Sequence, residues 1–192
     1  MKTKLFFLLL VVLLNMQINA QCWQSISAGG NHTVAIRTDG TLWGWGLNGD
    51  GQLGDNTIVF DINTPIQIGT ATNWQLVSAG LNYTVAIKTD GTLWAWGYNN
   101  YGELGDGTII SKNTPTQIGI ATNWKTVEAG DRFTVAIKTN GTLWAWGWNG
   151  TGGLGDGTLI SKTTPTQIGV ATNWRSIATG NYFTAAINTN GT

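Results

Sequence analysis

Thr89-Asp90-Gly91-Thr92-Leu93-Trp94-Ala95-Trp96-Gly97 is the stretch on which the reading of this chain turns, because it returns almost unchanged. Thr38 to Gly46 carries Gly44 in the alanine position, Thr139 to Gly147 carries Asn140 for the aspartate, and a further copy opens at Thr189. An Asp-Gly or Asn-Gly pair between apolar runs predicts a two-residue hairpin turn with positive φ at both central residues. In the strand after the turn, side chains alternate, so Trp94 and Trp96 share one face while Leu93, Ala95 and Gly97 share the other. The incoming strand, Thr84 to Lys88, sets branched Val85 and Ile87 opposite to Ala86. A sheet with one tryptophan-studded face and one smoother face can stack on a copy of itself.

The repetition extends over the whole chain beyond its N-terminus. Trp23, Trp74, Trp124 and Trp174 open successive units at spacings of 51, 50 and 50 residues, giving repeats 23–73, 74–123, 124–173 and a shorter 174–192. The extra residue of the first unit falls between Asp55 and Asn63. Within a unit, a strand such as Trp74 to Gly80 is followed by a short variable stretch and then by the hairpin. A glycine-rich loop from Tyr98 to Gly107 comes next, too punctuated for a helix. Thr114 to Gly119 then forms a last strand, which Pro115 assigns to an outer position or a strand start. Four strands per unit without helical periodicity predict an all-β chain of β-propeller blades, each of four antiparallel strands.

The succession Trp-x-x-Val/Ile-x-Ala-Gly, aromatic-Thr-Val-Ala-Ile, Asp/Asn-Gly-Thr-Leu-Trp-Ala-Trp-Gly and Asn-x-x-Gly-x-Leu-Gly-Asp-Gly resembles the repeats of the regulator of chromosome condensation family. The resemblance covers residues 23 to 192 and implies blades around a central axis, commonly seven. About three and a half blades are then expected here, as a fragment of a larger ring or as one segment of a self-assembling ring. Relatives implied by the resemblance include nuclear chromatin-associated proteins, exchange factors for a small GTPase, and a secreted bacterial inhibitor that covers the active site of β-lactamase.

Composition narrows these. Residues 1–20 have the anatomy of a secretory signal: Lys2 and Lys4, an apolar run from Leu5 to Leu14, and a polar tail ending at Ala20. The apolar run is too short for a membrane anchor, so cleavage after Ala20 is expected, leaving no stable membrane insertion and a secreted or cell-surface protein. Without Lys2 and Lys4 the chain carries 8 basic and 10 acidic residues, so a basic nucleic-acid-binding face is not expected. Cys22 is the single cysteine and excludes an intrachain disulfide.

Residues identical in every unit meet identical surroundings, which assigns ten of the tryptophans, Trp94, Trp96, Trp144 and Trp146 among them, to blade construction. Asp55, Asp106 and Asp156 offer one carboxylate per loop, too few oxygens for calcium, and read as turn residues. His32 occupies the slot of Tyr83, Phe133 and Phe183 and reads as a packing ring; no zinc or other metal site and no cofactor is expected. Glu103, Glu128, Asp50 and Asp131 are scattered carboxylates without a catalytic spacing, so a non-enzymatic protein is expected; hydrolysis through Glu103 or Asp131 is the weaker alternative. The scaffold leaves free the positions that differ between units: Leu47, Tyr98 and Trp148 after the tryptophan strand, Asp50, Asn100 and Tyr101 further along, and Asp131, Arg132 and Tyr182 after the first strand. Exposed aromatics and an arginine on short loops predict a binding surface for another extracellular or cell-surface protein. A glycan that stacks on Tyr98, Tyr101, Trp148 and Tyr182 is the alternative ligand.

Overall fold

The computed structural model describes residues 22–191, so the signal-like segment 1–20 lies outside the described residues. The first blade holds β1 (Trp23–Ala28), β2 (His32–Arg37), β3 (Leu42–Leu47) and β4 (Asp61–Gln67). The second holds β5 (Trp74–Ala79), β6 (Tyr83–Lys88), β7 (Leu93–Gly97) and β8 (Lys112–Gln117). The third holds β9 (Trp124–Ala129), β10 (Phe133–Lys138), β11 (Leu143–Gly147) and β12 (Lys162–Gln167), and the hairpin β13 (Trp174–Thr179) with β14 (Thr184–Asn188) begins a fourth. Each complete blade is a four-stranded antiparallel meander, in the order β1-β2-β3-β4 and its equivalents. The first strands of successive blades pack side by side along the propeller axis, and the proline-bearing strands β4, β8 and β12 lie outermost.

The hairpin turn differs from expectation. Among its residues only Gly91 has positive φ, at 76°, and its amide donates to the Lys88 carbonyl at 2.9 Å, so the loop is longer than two residues and the glycine sits at its left-handed position. Asp90 stays at negative φ because its side chain has other work. Its carboxylate accepts the Thr92 amide at 3.0 Å and the Thr92 hydroxyl at 2.6 Å, and that hydroxyl in turn accepts the Trp94 indole N–H at 2.9 Å. This relay explains why Asp/Asn-Gly-Thr-Leu-Trp recurs as a block. Asn140 reproduces it with its amide oxygen, accepting from Thr142 at 2.8 Å.

Pairing of Val85 with Ala95, Ala86 with Trp94 and Ile87 with Leu93 confirms the two faces. Val85, Ile87, Leu93, Ala95, Leu104 and Ile118 of the second blade pack on Trp124, Val127, Ala136 and Trp146 of the third. The first blade meets the second in the same way. Trp96 and Trp146 are fully buried and Trp74 and Trp124 nearly so, whereas Trp94 and Trp144 are half-buried beneath Lys88 and Lys138, whose ammonium groups lie 3.8 and 4.0 Å from their ring centroids. The tryptophans are therefore not equivalent: in the second and third blades one of the Trp-x-Trp pair is core and the other roofs the blade edge, whereas Trp43 and Trp45 of the first blade are both half-buried.

Candidate functional site

The loops between the first two strands of each blade and those between the last two emerge on the same end of the propeller, since β2 begins where β3 ends. All nine variable positions therefore share one face. The structure draws them together across blade junctions. At the junction of the second and third blades, Tyr98 and Tyr101 stand 6.5 Å apart, and the Arg132 guanidinium of the next blade lies 5.4 Å from the Tyr101 centroid and within 3.5 Å of its hydroxyl. Asp131 holds the other side of Arg132 at 3.7 Å, and Asn100 donates to the Tyr98 hydroxyl at 2.9 Å. Tyr98, Asp131 and Arg132, with Leu81 and Asn82, line a cavity of about 140 Å³. At the next junction Trp148 meets Tyr182 edge to face at 5.3 Å, and Thr151 donates to the Tyr182 carbonyl at 3.3 Å.

Of the expected exposed aromatics only Tyr182 is exposed; Tyr98, Tyr101 and Trp148 are half-buried, because each packs on a neighbour from the adjoining loop or blade. Leu47 and Asp50 are also half-buried; the Leu47 amide donates to the Asn31 carbonyl at 2.8 Å and the Asp50 amide to Gln52 Oε1 at 2.9 Å. Asn100 is exposed at its loop tip.

What sets these loops is a buried framework that residue-by-residue reading passes over. Asn48, Asn99 and Asn149 are completely buried at the root of each long loop. Asn99 Oδ1 accepts the Leu104 amide at 3.0 Å, while its Nδ2 faces Asp106 Oδ1, the Thr108 carbonyl and the Ile110 carbonyl, each at 3.2 Å. Asp106 accepts the Thr108 amide at 2.9 Å and pairs with Lys112 at 3.5 Å, so it acts as a turn residue, as expected, and its carboxyl is held below the usual range by those donors. The recurrence of Asn-x-x-Gly-x-Leu-Gly-Asp was the available signal for this hub.

Glu103 is likewise fully buried, which removes it from any open catalytic cleft. Its Oε2 accepts the Tyr101 amide at 2.8 Å and so fixes the tip that carries Tyr101. Burial pushes its carboxyl up to about 7, against the opposing pull of the backbone donors and Arg132. Gln52 makes the same clamp in the first blade, and Gly153 stands there in the third. His32 is a buried packing ring, as its slot predicts. Thr84 gives its hydroxyl proton to the Gln52 carbonyl at 2.8 Å, so His32 Nε2–H donates to Thr84 Oγ1 at 3.0 Å, and burial lowers the imidazole to about 4.

The loops missed by sequence reasoning also carry exposed apolar side chains, Ile58, Val59 and Phe60, Ile109 and Ile110, and Leu159 and Ile160, just before the outermost strand of each blade. Their signal was an apolar run of two or three residues following Gly-Asp-Gly-Thr, or Gly-Asp-Asn-Thr in the first blade, a position where a soluble loop is ordinarily polar.

Comparison with known proteins agrees with the fold. The regulator of chromosome condensation (RCC1) repeat pattern matches residues 39–87, 90–137 and 140–187, and a second pattern of the same repeat matches 23–52, 74–103 and 124–152. The ultraviolet-B receptor UVR8 of Arabidopsis thaliana is 36% identical over 89 residues, covering 44% of this chain and 19% of that protein. The protein RCC2 homolog of Danio rerio is 37% identical over 78 residues, covering 40% of this chain and 16% of its own length. Among solved structures, yeast RCC1 (Prp20) bound to Kap60 superposes with a TM-score of 0.78 at 24% identity, over 85% of this chain and 41% of that one. Human WBSCR16 superposes with a TM-score of 0.75 at 22% identity, over 85% and 44%. The chain thus spans less than half of the solved relatives and less than a fifth of these two sequence relatives. With its repeat pattern matched across three successive blades, the chain belongs to the regulator of chromosome condensation repeat family.

Proposed function

We propose that this chain is an exported, non-enzymatic propeller segment that binds another extracellular or cell-surface protein through the loop face. One observation carries the reading: the positions at which otherwise matching repeats differ converge across blade junctions into ordered clusters, Tyr98–Tyr101–Arg132 and Trp148–Tyr182. Aromatic and arginine side chains held by neighbours lose little rotamer freedom on binding, which is the property of anchor residues. The two carboxylates closest to the cluster are engaged, Glu103 by a backbone amide and Asp131 by Arg132, which favours recognition over turnover. Yeast RCC1 (Prp20), of the same fold, is itself solved bound to another protein, Kap60. The signal-like segment favours an extracellular partner. The test is cross-linking on the surface of the producing cell, with wild-type protein compared to Tyr98→Ala/Arg132→Ala and Trp148→Ala/Tyr182→Ala. A single cross-linked partner lost in both variants and retained in Gln117→Ala, on the opposite end, supports the reading. Equal labelling by all three variants would overturn it, and loss of the adduct on glycosidase treatment of the partner would transfer it to a glycan.

A further inference from the structure

The two ends of the propeller carry opposite charge, which the near-neutral total conceals. Strands β2, β6 and β10 finish, and β1, β5, β9 and β13 start, at the end away from the variable loops, which places Arg37, Lys88, Lys125, Lys138 and Arg175 there. Asp39 and Asp90 are the only carboxylates at that end among the described residues; the others lie toward the loop end, where Lys112, Arg132 and Lys162 are the cations. The asymmetry sharpens along the chain. The residue after each opening tryptophan runs Gln24, Gln75, Lys125, Arg175, while the turn residue runs Asp39, Asp90, Asn140, Asn190. Lys125 and Arg175 are exposed, and Asp90, which lines the same groove as Lys125 and Thr139, is already engaged by Thr92. The connections from each outermost strand to the next blade cross this end too, and their tips run Thr70, Ile120, Val170. Ile120 and Val170 are 95% and 92% exposed. These tips are held rather than frayed: the Ile118 amide donates to the Leu93 carbonyl at 2.8 Å and the Trp124 amide to the Gly91 carbonyl at 3.2 Å, and Ile168 and Trp174 repeat both bonds. Ile120 lies between two complete blades, so its exposure is a property of the blade connection itself.

We infer that this end is a docking surface for a lipid bilayer with anionic headgroups, with Ile120 and Val170 entering the headgroup boundary while Lys125, Lys138 and Arg175 meet lipid phosphates. Charge and shape both select that occupant. The cations and the aliphatic tips sit at one end of separate blades, so a flat partner reaches all of them at once. A bilayer offers apolar depth beneath its phosphates, which satisfies branched side chains that a nucleic-acid backbone would leave in water. The loop end, with its excess of carboxylates, is repelled by the same surface, so the field turns the loop face outward and leaves it open to a protein partner. The association is peripheral and weakened by salt, because it depends on a few surface cations and two short side chains.

Co-sedimentation with lipid vesicles tests this. The chain is used from Gln21 onward, which retains every strand and core side chain described, because the apolar run from Leu5 to Leu14 would bind lipid by itself. Wild-type protein is expected to pellet with vesicles of phosphatidylcholine mixed with phosphatidylglycerol, to be released at high salt, and to stay in solution with phosphatidylcholine alone. Lys125→Gln/Arg175→Gln installs the residue of the first two blades and is expected to weaken binding roughly fivefold for each cation removed. Ile120→Thr/Val170→Thr installs the residue of the first connection and is expected to weaken it about tenfold. All four side chains are exposed, so both variants keep the wild-type circular dichroism. Lys112→Gln/Lys162→Gln removes the same charge from the loop end and is expected to bind as wild type does. Absence of binding to the mixed vesicles, equal binding to phosphatidylcholine alone, full binding by either variant of the basic end, or an equal fall in the loop-end variant each overturns the inference. Binding of duplex DNA or an acidic peptide without binding of the mixed vesicles overturns it as well.

Discussion

Asn99 is one completely buried polar side chain, and the shape of the fourteen-residue loop 98–111 depends on it. Its oxygen satisfies the buried amide of Leu104, and its nitrogen draws in carbonyls from the far limb of the loop at Thr108 and Ile110. Removing it leaves a buried donor without a partner, which costs more than the bond itself gained. Asn99→Ala is therefore expected to lower stability by about 2–3 kcal/mol in urea unfolding. Asn100→Ala, one residue on, touches an exposed side chain bonded only to Tyr98 and is expected to stay within about 0.5 kcal/mol of wild type. The contrast is measurable because the two changes are chemically identical. Gly105 sets the same loop from the other side. At φ 77° its missing side chain leaves room for the Trp146 indole, whose nitrogen would lie 2.6 Å from an added Cβ. Gly105→Ala thus combines a left-handed backbone with a collision against a buried ring, and a fall in the thermal midpoint larger than that of Asn99→Ala is expected from a melting scan.

At the level of strands and blades, the tryptophans form a graded series. Trp146 is fully enclosed, donates its N–H to the Glu103 carbonyl at 2.9 Å, and packs against the preceding blade, so Trp146→Ala is expected to cost about 3–5 kcal/mol. Trp144 keeps part of its ring in solvent beneath Lys138, and its truncation is expected to cost roughly half as much. Trp45, equivalent to Trp96 and Trp146 but on the half-open face of the first blade, is expected to fall with Trp144; chemical denaturation of the three variants ranks them. Strand order, blade architecture and the two-faced packing were legible in the sequence, because alternation along Leu93 to Gly97 has a fixed geometric consequence. The turn was not, because the Asp90–Thr92–Trp94 relay competes with intrinsic Asp-Gly preference and a pairwise rule does not see it. The loop positions were legible as variable, but their convergence was not. Tyr101 and Arg132 lie on different blades, and only the stacking of blades brings them within contact.

Taken as a whole, the molecule balances two buried titrating groups of opposite kind. Glu103 is raised from about 4.5 to about 7 by burial, with Asp131 adding to the rise and Arg132 and the Tyr101 amide opposing it, so its folded form holds a proton that the unfolded chain releases. Its contribution to stability is complete below pH 4.5 and is lost as pH rises to 7. His32 is lowered from 6.5 to about 4 by burial, so the unfolded chain takes up a proton that the folded one refuses, and its contribution is lost as pH falls from 6.5 to 4. Each amounts to on the order of 3 kcal/mol across its window, and the windows nearly coincide. Glu128, raised by burial beside Ser78, adds to the Glu103 side. Wild-type stability is therefore expected to vary little between pH 4.5 and 6.5, with slopes hidden in it. Glu103→Gln borrows the residue that makes the same clamp in the first blade and removes one slope, leaving stability that rises with pH over this range. His32→Phe borrows the residue of the third blade and removes the other, leaving stability that falls with pH. Urea unfolding at a series of pH values measures all three curves, and the double variant is expected to retain only the fall with pH that Glu128 contributes, because Glu103 and His32 serve different blade junctions and their slopes are removed independently.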